Sequence, residues 1–210
     1  MLLKKKGTVA VFATVVFTIT TIIIFIVYIV TLNIIQDEAE MSSDDLVSSE
    51  LAVYKNINLR SLGESKNLDL LVFSDDSEQI LKPYITFIEF LMKNFNVNEK
   101  LQPIYKVNFI KGQINVKEFI IYNVMENEIE EINYKNVLNC TTSDLNGFLE
   151  NKSNPCTITK HKIDIEEVKT PKGNVVEHTT IYAKISFQIE TLFRNSKTVN
   201  LEEETDILKE

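Results

Sequence analysis

Few residues in this chain are of a type that does chemistry. There are two histidines, His161 and His178, and two cysteines, Cys140 and Cys156. A zinc site built from Cys140, Cys156 and His161 is conceivable. Their spacing, however, matches neither the C-x2-C nor the H-x3-H pattern that brings ligands together around a tetrahedral metal. His161 and His178 read instead as exposed residues near strand ends. The carboxylate pairs Asp75/Asp76 and Glu166/Glu167 fall where solvated turns and strand faces are expected, and nothing marks them as a glycosidase pair. Asp37, Glu38 and Glu40 are acidic enough for weak calcium binding but lack the loop glycine and ligand spacing of an EF-hand. No phosphate-binding glycine loop, dinucleotide fingerprint, nucleophile elbow or zinc-protease helix motif occurs. The expectation is a protein that is not an enzyme and uses no cofactor or metal.

The elements that would carry function begin at the N-terminus. Lys4, Lys5 and Lys6 form a basic cluster, and from Gly7 to Ile35 no charged residue follows. About 20 apolar residues of helix cross a bilayer core of about 30 Å, so this run is long enough to span. Beyond it lie Asp37, Glu38, Glu40, Asp44 and Asp45. The positive-inside rule then makes Lys4–Lys6 the topology determinants, with the N-terminus cytoplasmic and the rest of the chain outside. The run is longer than a secretory signal core, and no small-x-small cleavage site follows it. The net charge is −8, which argues against nucleic acid as a partner and against docking onto anionic lipid through a polybasic patch; membrane lipid is expected as a partner through the anchor helix.

Four zones follow: a basic leader over 1–6, a transmembrane helix over 7–35, a helical extension over 36–66, and an α+β domain over 67–210. In the extension, Leu46, Val47, Leu51, Tyr54 and Ile57 make an apolar stripe, with Asp44, Asp45, Ser48, Ser49 and Lys55 opposite. With no Pro or Gly between Thr8 and Gly63, the membrane helix is predicted to continue outward. The alternative is an acidic linker followed by a separate short helix. A second helix is predicted from Ser77 to Phe95. Caps come from Ser74–Ser77, Pro83 falls early, Asn94 and Asn96 suit the stop, and an apolar face includes Tyr84, Ile88 and Leu91.

The rest reads as strands. Ile104–Ile110 alternates, Lys111–Gln113 breaks the pattern, and Ile114–Val124 follows. Met125–Glu128 is a turn and Ile129–Tyr134 a return strand. A hairpin is predicted from Ile163, Ile165 and Val168, through the turn Lys169–Asn174, to Ile181–Ile189, with one face buried and one wet. Val199, Leu201 and Glu202–Glu204 suit a charged edge strand. Cys140 and Cys156 flank a loop with Asn146, Gly147, Asn154 and Pro155. A bridge there would close about 15 residues and stabilise by about 3 kcal/mol; two free thiols are the alternative.

A basic leader, then Gly7, then Thr8-Val9-Ala10-Val11-Phe12 opening an apolar helix that runs into an amphipathic one, resembles the type IV pilin class. It looks most like the TadE/TadF/TadG-like pseudopilins of tight-adherence (Flp) pilus systems, in their Gram-positive form. Ser42–Ala52 is similar to the post-anchor helix of that group, and Tyr182–Phe193 to its last exported strands. The resemblance implies a processing site at Gly7 and assembly with other pilus or secretion subunits through anchor and domain. One position departs from the pattern: the residue five after Gly7 is Phe12, where pilin processing usually wants Glu. That departure favours an uncleaved accessory role. The alternative reading is a membrane-tethered extracytoplasmic binding or sensing module unrelated to pili.

Overall fold

A computed structural model describes residues 2–56, 81–105, 109–125, 128–135, 157–164, 168–190 and 196–206. They form an α+β fold of two helices, a short 3-10 turn and a five-stranded antiparallel sheet. The chain divides into two compact units, residues 1–41 and residues 42–210.

Helix α1 runs unbroken over Leu2–Val53 and ends in a 3-10 turn at Tyr54–Asn56. The charge-free run and the amphipathic run are therefore one element, as the lack of Pro and Gly predicts. The stripe of the second run is rotated from its predicted position. Its buried face runs through Ser42, Leu46, Ser49, Glu50 and Val53, with Ala52 and Tyr54 buried on either side of it, while Leu51 is 47 % exposed. Spacings of four, three, one and three residues still give one helical face. Tyr54 fixes that face, because its hydroxyl reaches both the Thr179 carbonyl (3.0 Å) and the Thr205 carbonyl (2.7 Å). Ile57 lies outside the described residues.

Helix α2 spans Lys82–Asn94, starting later than the sequence pattern suggests. Leu81 is its N-cap, with no side-chain capping bond, and the first helical bond runs from Ile85 N–H to the Leu81 carbonyl. Pro83 thus falls in the first turn, where a missing N–H costs no helical bond. The proposed caps at Ser74–Ser77 lie outside the described residues. At the other end Asn96 takes φ +51°, the left-handed stop that Asn tolerates.

The strands are β1 (Ile110–Val124), β2 (Glu128–Lys135), β3 (Thr157–Asp164), β4 (Thr180–Glu190) and β5 (Ser196–Asp206). Their spatial order is β3-β2-β1-β4-β5, all neighbours antiparallel. Three expectations are corrected. Lys111–Gln113 does not divide two strands: β1 continues through it, and its register against β4 shifts between Lys111 and Asn115. Gly112 has φ +73°, the backbone of a bulge that keeps pairing on either side. Ile104 and Tyr105 are exposed at bends, not in a strand. The predicted hairpin from Ile163 to Ile189 does not pair with itself. β3 pairs with β2, while β4 lies between β1 and β5. Only the tip is a hairpin, where Lys169 bridges Val175 and Gly173 N–H bonds the Thr170 carbonyl.

Both faces of the sheet are covered. On one, Tyr84 and Phe87 of α2 meet Phe119, with ring centroids 5.5 and 4.6 Å apart, and Tyr84 stacks on Tyr134 at 5.6 Å. On the other, Ile120, Tyr122, Ile129 and Tyr182 are buried with Val176, and Val168 packs against them. The 168–176 tip thereby covers the face that period-two alternation assigns to water.

Candidate functional surfaces

The first surface is the apolar stretch of α1. It is the one described helix long and apolar enough to cross a membrane, and its most apolar window is nowhere buried. Phe12 and Phe17 are 70 % and 74 % exposed, and Val, Ile and Leu side chains up to Ile34 are also exposed. Five threonines of this stretch are satisfied on the helix's own backbone. Thr14, Thr18, Thr20, Thr21 and Thr31 each donate their hydroxyl to the carbonyl four residues back, at 2.9–3.0 Å. Folding these hydroxyls onto the backbone leaves a surface that is mostly hydrocarbon, with Tyr28 and Asn33 exposed towards its C-terminal side, which suits a helix in lipid. Lys4, Lys5, Lys6 and Gly7 all lie within α1.

The second surface is where the end of α1 meets the sheet, and it is unusually polar. Ser43 Oγ donates to Glu203 Oε1 of β5 at 2.5 Å. Ser49 Oγ donates to the Asp45 carbonyl (2.7 Å) and accepts from Asn94 Nδ2 of α2 (3.0 Å), which also reaches the Asp45 carbonyl. Asn56 Nδ2 donates to Thr86 Oγ1 at 2.9 Å, joining the 3-10 turn to α2. Glu50 sits within this seam, wholly buried. Burial holds its carboxyl well above the usual range; the Ala183 backbone works against that shift and the Glu203 carboxylate adds to it. Asp45 is raised as well, first by burial and then by neighbouring Asp44. Burial also pushes the Tyr54 phenol up.

Outside the seam, the 168–176 tip is tied to β5. Lys172 Nζ lies 3.0 Å from Glu203 Oε2, and Asn174 Nδ2 donates to Glu204 Oε1. Lys184 and Glu202 pair across β4 and β5 at 2.8 Å. That contact raises the lysine and lowers the exposed carboxylate.

Among the predicted site residues, His161 is exposed on β3, and His178 is half-buried in the segment before β4. Cys140 and Cys156 lie outside the described residues. Among the described residues, no group of three or more His, Cys, Asp or Glu side chains is placed to hold a metal ion. Glu50 was not singled out by the sequence pattern, although a signal exists. It stands four residues after Leu46 and three before Val53, on the buried stripe. Compared with known proteins, the chain matches no family model, no curated protein and no solved structure.

Proposed function

We propose that this chain is a single-pass membrane protein, N-terminus cytoplasmic, whose α+β domain lies outside the cell and acts by assembly rather than catalysis. In this reading it is a TadE-like pseudopilin component of a pilus or secretion apparatus in a Gram-positive cell. The observation that carries the proposal is the surface of α1 from Ala10 to Ile34. It is mostly apolar and exposed, its threonine hydroxyls are satisfied on its own backbone, and it is flanked by lysines on one side and acids on the other. Such a helix needs lipid or other helices around it. Small Ala and Thr positions allow close helix approach.

Two experiments test the reading. Labelling of single cysteines placed in the leader and in the domain, in intact cells, reads orientation; an accessible leader with a protected domain would overturn the topology. Replacing residues 7–35 by an unrelated apolar helix should abolish co-purification with pilus or platform subunits while leaving the protein in the membrane. Unchanged function after that exchange would make the helix a generic tether.

One observation favours a permanently anchored form over a processed filament subunit. The residue five after Gly7 is the apolar Phe12, so no carboxylate stands in the run to pair with a neighbouring subunit. Intact mass of the native protein, from membranes and from sheared surface material, should show the full-length chain confined to the membrane. Loss of the first seven residues, with protein in the sheared fraction, would establish processing at Gly7.

A further inference from the structure

Glu50 is a buried carboxyl whose charge the surroundings compensate less than burial penalises it. It is 0 % exposed, and neither of its oxygens has a hydrogen-bond partner. Its surroundings come from every element packed on it. On its own helix, Tyr54 stands one turn further on with its hydroxyl committed to the Thr179 and Thr205 carbonyls. Asp45, five residues earlier, is a second half-buried acid. From α2 comes the neutral amide of Asn94, bonded to the adjacent Ser49. β4 offers the Ala183 backbone, and β5 offers the Thr205 hydroxyl and the Glu203 carboxylate. Thr205 Oγ1 is itself buried without a partner. The cation acting on Glu50 is Lys172, and its ammonium is held on Glu203.

An ionised carboxylate in such a place lacks both solvation and a paired counter-ion, which is among the costliest arrangements a protein interior offers. A neutral carboxylic acid fits it. The cost of charging falls on the contact between the end of α1 and the sheet, because Glu50 can reach water only if that contact opens.

We propose that the Ser42–Val53 stretch of α1 is latched onto the sheet by a proton on Glu50, docked while this carboxyl is neutral and released when it ionises. The sign follows from the direction in which burial moves the group. A carboxyl whose folded-state affinity for protons exceeds its unfolded one stabilises docking fully in acid, and that contribution is lost as pH rises through the folded-state ionisation. Asp45 contributes in the same direction. The latch belongs to the packing of residues 42–210 alone, so it stands or falls independently of any pilus role.

The test is amide hydrogen exchange on the full chain in lipid nanodiscs, from about pH 5 to about pH 9, the span in which a buried Glu ionises. Peptides covering 42–54 are read against β1 peptides, which cancels the common change in chemical exchange rate. Relative protection of 42–54 should fall from the acid end of this range, approaching about tenfold per pH unit for release of one proton, and level off once the docked carboxyl itself ionises. Glu50→Gln, which keeps the shape and cannot ionise, should stay protected throughout. Glu203→Gln removes a like charge and frees Lys172 to face Glu50, so the fall should level off at lower pH. A flat wild-type profile overturns the proposal, as does the same fall in Glu50→Gln. Should Glu50→Gln not fold, a fall in Glu203→Gln that levels off at the wild-type pH overturns it as well.

Discussion

Tyr54 ties three parts of the domain together through a single oxygen. Its hydroxyl reaches carbonyls at Thr179, just before β4, and at Thr205 near the end of β5. Tyr54→Phe keeps the ring and deletes the donor. The expected loss is about 1–3 kcal/mol, the range for leaving a buried polar group unsatisfied, measured by denaturant unfolding of the purified chain in detergent. Phe119 makes a different kind of contribution. It is fully buried and in ring contact with Tyr84, Phe87 and Tyr134. Phe119→Ala should cost about 3–5 kcal/mol through lost transfer energy and the cavity left behind. The aromatic character of Tyr84 was legible in the sequence because helical spacing marks it as core. The burial of Glu50 was not, because residue type and spacing disagree there: a charged side chain falls on the buried stripe.

At the scale of elements, local pattern located the helices and strands better than it paired them. Period-two alternation found β4 correctly, but it cannot say which strand lies beside it. The turn at Lys169–Asn174 has all the signals of a hairpin and does reverse the chain. Its reversal is confined to the tip, which folds onto Tyr182 and Ile120 and leaves β3 to pair with β2. Gly112 shows the same limit. Read locally, a glycine between two polar residues ends a strand; within β1 it supplies the left-handed residue of a bulge. A Cβ there would meet nothing closer than Gln188 Oε1 at 3.9 Å, so the penalty for Gly112→Ala is conformational rather than steric. The expected cost is about 1–2 kcal/mol, the penalty for an L-residue held in the left-handed region. It would be read as a shift in unfolding midpoint with unchanged slope.

For the whole molecule, the long apolar surface of α1 makes a prediction that does not depend on any partner. Placing a charge in its middle, as in Ile22→Lys, should raise the cost of membrane insertion by about 3–4 kcal/mol. It would be measured as the inserted fraction in a translocation assay. A conservative exchange such as Ile22→Leu should leave insertion unchanged. The apolar run was legible from sequence alone because its signal is composition and length. The sheet's covered second face was not, since it depends on a tip folding back from far along the chain.

The seam between α1 and the sheet also imposes an order of events on synthesis. The Ser42–Tyr54 stretch is made early, yet groups it rests on, the Thr179 carbonyl, Ala183, Glu203 and Thr205, come from β4, the residue before it, and β5. β1 likewise waits for β4 before its second edge is filled. Pairings this distant in sequence are slow to form. Until the final strands arrive, the helix presents Leu46, Val53 and Tyr54 to whatever is nearby. The nascent chain therefore passes through a stage in which its oldest helix is complete but unclaimed, and in which a chaperone or a neighbouring copy has its best opportunity to bind.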